Sequence, residues 1–335
     1  MNETAPADGV GPANSERARA TVHRWLGPLL AVPTPVIFVA AAALAVLFLW
    51  RGGRLDEVEA SVRTASPGAA LAILLVYATS IMILGLRWHI LVRMAHGAPA
   101  WTSSAEVFLT SVIVNYAAPI GLAVPTRAAL TVRDLGLSSR QSGAVVAWEA
   151  ALDVAALAAI SVAWLAAGGA VLVQMVAVDA RMVAIAAAVI AVGIAVTGIL
   201  ARNAAVRSRA APIFGRMLSG PVQHPALAIL ALSLTAAFWA MQMGVMAGLL
   251  GIFGVPVSPS LMLGLMGLPV LIGMLSPVPG GAGVREALMA AVARLDGVAA
   301  GPVVLAAVAY RLALFAVTPV VWGVVRLARA RAKDR

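Results

Sequence analysis

Long apolar runs separated by short polar stretches dominate the chain, and the runs show no alternation with a period of two residues. Each run is too long for a buried strand. At 1.5 Å per residue, about 20 apolar residues cross the roughly 30 Å hydrocarbon core of a bilayer as a helix. Runs of that length cover residues 26–50, 68–86, 141–167, 182–200, 225–250 and 302–325. Two other apolar stretches are interrupted. One runs from Ala105 to Ala118 and breaks at Asn115-Tyr-Ala-Ala-Pro119-Ile-Gly121, before continuing through Arg127 to Leu130. The other, Leu261–Leu275, breaks at Ser276-Pro-Val-Pro-Gly-Gly-Ala-Gly283 and continues from Val284 to Leu288. Two short helices around a Pro/Gly turn read as a re-entrant hairpin. Such backbone survives at membrane depth only where protein or a polar cavity surrounds it. Ordinary interhelical loops rich in Pro and Gly are the competing reading.

The order is span, span, hairpin, span, and then the same again. Three spans separate the hairpins, so they approach from opposite sides, as in an inverted-topology repeat. The predicted fold class is an all-α polytopic membrane protein with about six transmembrane helices and two re-entrant helical hairpins in an inverted repeat. Residues 1–25 read as a disordered tail. Residues 26–325 form one integral membrane domain with half-repeats 26–167 and 182–325, and 326–335 is a basic tail. The N-terminal stretch lacks the form of a signal peptide.

Composition agrees. Of 335 residues, 62% are hydrophobic and only 11% charged. Too few charges exist to cover a water-soluble surface. With both hairpins returning to their own side, the segments that share a side with the termini carry most of the 24 basic residues, which makes both termini cytoplasmic and the protein an inner-membrane one. The net charge of +10 is spread over loops, as topology signals or contacts to anionic lipid, and nucleic acid is not expected as a partner. Membrane lipids are, and self-association stays open. The chain has no Cys, and His23, His89, His96 and His224 have no metal-ligand spacing. Neither a metal nor another cofactor is expected, nor enzymatic activity.

Chemistry concentrates in a few charges inside the apolar segments. Glu149 lies about 12 Å and Asp153 about 18 Å into their span, on one helix face. Arg311 is at similar depth in the last span. A charge at a helix centre costs roughly 2.5–3.5 kcal/mol, so all three must face protein or water. Glu149, Asp153 and Arg311, with Glu286, are candidate gating or coupling residues; a fastening ion pair of Arg311 with Glu149 or Asp153 is compatible with that role. Arg127 and Arg285 open the second half of each hairpin, where helix N-termini and a planar guanidinium suit phosphate. The candidate substrate-binding set is Arg127 and Arg285 with Asn115, Pro119, Gly121, Pro279, Gly280, Gly281 and Gly283. A topological role for the two arginines is the alternative. Arg87, beside Trp88, reads as a side chain snorkelling to the interface.

Arg87-Trp88, Asn115…Pro119-x-Gly121…Arg127, Glu149…Asp153, Pro277-Val-Pro-Gly-Gly-Ala-Gly-Val-Arg-Glu286 and Tyr310-Arg311…Pro319 together resemble the lysylphosphatidylglycerol synthase transmembrane family, over residues 30–325. The resemblance implies translocation of a polar-headed lipid between leaflets. It does not imply the synthase reaction, which needs a soluble aminoacyl-transferase domain that the ten residues after 325 leave no room for. A flippase or scramblase for an anionic or polyprenyl-phosphate-linked lipid is therefore expected. The rivals are an accessory subunit of a lipid- or glycan-modifying enzyme and an intramembrane enzyme in which Glu149 and Asp153 hold Mg²⁺ or move protons.

Overall fold

The computed structural model describes residues 66–97, 99–117, 123–168, 219–276, 281 and 283–333. The expected spans 26–50 and 182–200, the tail 1–25, and Pro119, Gly121, Pro279 and Gly280 lie outside the described residues. Those described are helical, with no strand among them. The helices are α1 (Pro67–His96), α2 (Trp101–Ala117), α3 (Ala123–Leu135), α4 (Ser139–Ala167), α5 (Pro225–Ile252), α6 (Pro259–Met266), α7 (Leu268–Leu275), α8 (Val284–Leu295) and α9 (Ala300–Lys333). By length and composition, α1, α4, α5 and α9 are long and apolar enough to cross a membrane.

Local chemistry sets the helix ends. Pro67, Pro225 and Pro259 stand in the first turn of their helices, where no intrahelical N–H is lost. Ser138 caps α4 by accepting from the Gln141 amide at 3.3 Å, while the Gln141 side chain accepts from the Ser138 backbone N–H. The same Gln141 donates to the Ala95 carbonyl at 2.8 Å, tying the start of α4 to the end of α1. Since α2 starts four residues after α1 and α3 ends three before α4, the α2/α3 hairpin enters and leaves at that one end of the bundle. Its arms span only about 25 and 20 Å at 1.5 Å per residue.

The second hairpin opens at the other end. Along α1 and α5, Arg87 meets Thr235 and Ser80 meets Gln242, so the two helices run antiparallel. The end of α5, from which α6 departs, is thus at the N-terminal end of α1. Ser258 and Ser260, at the start of α6, both donate to Asp296, just past α8, at 3.3 Å. Helix α9 then crosses back: Tyr310 touches Tyr77 of α1, Trp322 donates to Thr110 of α2, and Arg329 reaches Glu106 near the start of α2.

Three helices differ from expectation. Helix α1 does not stop at Arg87-Trp88 but continues to His96, because the polar residues 87–89 are buried against other helices and need no exit. The apolar run Leu261–Leu275 is split at Gly267, where the backbone leaves helical geometry (φ −88°, ψ −99°) and presses on Ser161 of α4. A Cβ at Gly267 would stand 2.9 Å from the Ser161 N and Oγ. Helix α9 runs on through Lys333, taking most of the basic tail with it.

The interior is packed by Trp88, Leu91, Leu109, Met246, Leu250, Leu261, Leu265, Met266 and Met289, all fully buried. Leu71, Leu75, Val162, Ile229, Leu232, Val320 and Val324 point outward. The ion pairs of Arg87, Arg127 and Arg311 sit inside the bundle and apolar side chains outside, the distribution a hydrocarbon solvent selects.

Candidate functional site

Two charged layers lie between the helices. Helix α1 carries Arg87 in one layer and Tyr77, ten residues away, in the other, which separates them by about 15 Å along the helix axis.

The first layer joins five elements, α1 to α5. Arg87, 1% exposed, binds Asp153 of α4 with both terminal nitrogens: Nη1 donates to Oδ1 at 2.6 Å and Nη2 to Oδ2 at 2.8 Å. The Arg87 Nη1 also donates to Thr235 of α5 at 3.2 Å, and the Trp239 indole N–H donates to Asp153 at 3.2 Å. Glu149, one turn earlier on α4, lies 3.6 Å from Arg87 Nη2 and forms a closer ion pair with Arg127 of α3. Arg127 further donates through Nε to Ser111 of α2 at 2.8 Å, and its guanidinium lies over the rings of Phe108 and Trp88 at 4.5 and 5.3 Å. Among the described residues, two cations thus meet two carboxylates, and the layer is neutral. Bidentate geometry and added hydrogen bonds are what a buried pair needs to offset desolvation.

The second layer belongs to α8, α9 and α1. Gly283 has φ +81°, a left-handed conformation that Gly adopts without strain. Its N–H donates to Glu286 Oε2 at 2.7 Å, so that carboxylate caps α8 from the third position. Glu286 Oε1 faces Arg311 Nε of α9 at 2.7 Å. Arg285 lies over the Tyr310 ring at 4.8 Å, and Tyr310 in turn packs on Tyr77 with ring centroids 5.2 Å apart. The turn before α8 is pinned against α7: a Cβ on Gly281 would stand 2.4 Å from Gly273 Cα. Between the layers, Gln242 of α5 donates to Ser80 of α1 at 3.3 Å.

These positions correct two expectations. Arg311 pairs with Glu286, not with Glu149 or Asp153, because the second hairpin brings α8 against α9 while α4 faces α1 and α3. Arg87 does not snorkel; the carboxylate of Asp153 gives it a buried partner. Arg127 is engaged by Glu149 and Ser111. Asn115 stands in the last turn of α2. Ser111, Thr235, Trp239, Tyr77 and Gln242 complete the layers without having been predicted. Their only signal in the sequence is a lone polar group in an apolar stretch. A cavity of about 580 Å³ opens elsewhere, at the start of α4 beside Met94, Gln141, Trp148 and Ser219, away from the guanidinium of Arg285.

A family model described as the lysylphosphatidylglycerol synthase TM region matches residues 35–323, and the chain belongs to that family. The comparison with curated proteins finds no match.

Proposed function

We propose that this member of the lysylphosphatidylglycerol synthase transmembrane family moves an anionic or polyprenyl-phosphate-linked lipid between leaflets, as a flippase or scramblase that leaves the lipid chemically unchanged. The observation that carries the reading is the pair of hairpins opening at opposite ends of the bundle, each delivering a guanidinium to the interior: Arg127 from α3 and Arg285 from α8. Read as re-entrant hairpins in an inverted-topology repeat, they form two half-sites stacked across the membrane, with both termini cytoplasmic in the cell (inner) membrane.

In this reading a lipid phosphate meets one arginine after the other, while its acyl chains stay in the bilayer. The neutral layer of Arg87, Arg127, Glu149 and Asp153 forms one gate, and Glu286 with Arg311 the other. Each gate opens only if its ion pairs exchange partners, since an unpaired charge in a low-dielectric interior is strongly disfavoured. An arriving phosphate supplies the substitute anion.

The test is reconstitution of the purified full-length chain into liposomes carrying a labelled phosphatidylglycerol in the inner leaflet. Transfer of label to the outer leaflet faster than in protein-free vesicles is the expected result. Vesicles in which neither this lipid nor a polyprenyl phosphate moves would overturn the reading. Deletion of a partner enzyme that abolishes function in cells, with no transport by the protein alone, would favour an accessory role.

A further inference from the structure

Resting on that reading, we propose that the second layer holds a phosphodiester head group with a single negative charge, bound on the free edge of Arg285, and that Glu286 sets this charge preference. Arg285 Nε and Nη2 are shut off from solvent, and neither has a hydrogen-bond partner among the described residues. These two N–H groups point the same way along one edge of the guanidinium, the edge that grips two oxygens of a phosphate or carboxylate side by side. Buried donors are nearly always satisfied, so two adjacent orphans mark the place of a missing acceptor pair. Tyr310 covers one face of the same guanidinium, leaving the edge for a planar contact.

Charge counting names the ligand. Among the described residues, the charged groups here are Arg285 and Glu286 on α8 and Arg311 on α9, with the phenols of Tyr310 and Tyr77 beside them. The described part of α6 and α7 contributes no charge. Two cations against one carboxylate leave one positive charge in excess, whereas the first layer balances. A phosphodiester, with one negative charge, neutralises the excess with Glu286 ionised. A phosphomonoester brings nearly two charges at pH 8 and overshoots. Glu286 is therefore a selectivity residue: it occupies Arg311 and the Gly283 N–H, and so withholds them from a second negative charge.

The test measures binding to the full-length protein in nanodiscs at pH 8, by native mass spectrometry, with phosphatidylglycerol, phosphatidic acid and phosphatidylcholine as probes and inorganic phosphate as competitor. Wild type is expected to prefer phosphatidylglycerol over phosphatidic acid. Glu286→Gln keeps a side-chain acceptor for the Gly283 N–H, raises the excess to two charges, and should reverse the preference. Arg285→Ala should weaken phosphatidylglycerol binding by about ten- to hundredfold, the worth of one charge-assisted bond. Equal affinity for the two anionic lipids in wild type, or a preference unmoved by Glu286→Gln, overturns the proposal. Competition by millimolar inorganic phosphate would assign the edge to free phosphate instead and equally overturn it. Tight, charge-selective binding without transfer in liposomes would sink the transport reading but leave this site standing. Transfer without head-group preference would do the reverse.

Discussion

The first charged layer is closed and the second is open by one charge, though both are built from a Pro/Gly-broken hairpin leaning on longer helices. In the first, every guanidinium has a carboxylate: Arg87 on Asp153, Arg127 on Glu149. In the second, Arg311 takes Glu286, and Arg285 is left with an aromatic ring and an edge that has no partner among the described residues. Similar backbone thus carries different chemistry. The first hairpin is locked into the bundle by its own charges. The second is held by a single ion pair, Glu286 on Arg311, and by close backbone approach of Gly267 to Ser161, and so leaves a cation for something else to meet.

The comparison breaks most sharply at Arg87. Arg87→Ala strands Asp153 among Thr235 and Trp239, and removing one partner of a buried pair costs about 3–5 kcal/mol. Thermal unfolding of the detergent-solubilised protein should show this loss, and Arg87→Met combined with Asp153→Leu should recover most of it. A single substitution as stable as wild type would mean that the layer is wetter than its burial implies. Arg127→Ala should be next, because Glu149 keeps only the longer contact to Arg87 at 3.6 Å. Gly281→Ala follows: the Cβ meets backbone atoms of Gly273 at 2.4–2.8 Å in a positive-φ position, and overpacking of this kind costs about 1–3 kcal/mol. Arg285→Ala should cost less than any of these, since it strands no carboxylate. Stability that falls as far for Arg285→Ala as for Arg127→Ala would erase the distinction between the layers.

Much of this was legible in the sequence, and what was not has a common cause. The four long helices among the described residues announce themselves by length and apolarity. Counting residues from a span's start also placed Glu149, Asp153 and Arg311 at interior depth. Counting gives depth along one helix but not which neighbour faces it. Arg311 and Asp153 could therefore be assigned to one pair, when packing sets α9 against α8 and α4 against α1. The burial of Arg87 is hidden for the same reason: its partner lies 66 residues away. A single Gly such as Gly267 in an apolar run is common, and the close approach to Ser161 is what marks it as a kink. The charge imbalance at Arg285 could not be read from the chain at all, since it depends on which groups share a layer.

The smallest expected effect sharpens the comparison at the hairpin's outer rim. Arg329, on the extension of α9, donates to Glu106 of α2 at 2.6 Å, with the two side chains 25% and 19% exposed. This ion pair ties the mouth of the first hairpin to the last helix, whereas at the mouth of the second the neutral hydroxyls of Ser258 and Ser260 on Asp296 tie the start of α6 to the end of α8. Partial exposure screens the attraction, so Glu106→Gln should lower stability by no more than about 1 kcal/mol. The loss should shrink further as salt is raised, because the Debye length falls from about 10 Å at 0.1 M to about 3 Å at 1 M. Arg87→Ala, whose pair lies inside the bundle, should show no such salt dependence. Unfolding both variants across that salt range therefore separates a rim contact from an interior lock, and equal salt sensitivity in the two would place the Arg87 layer within reach of solvent.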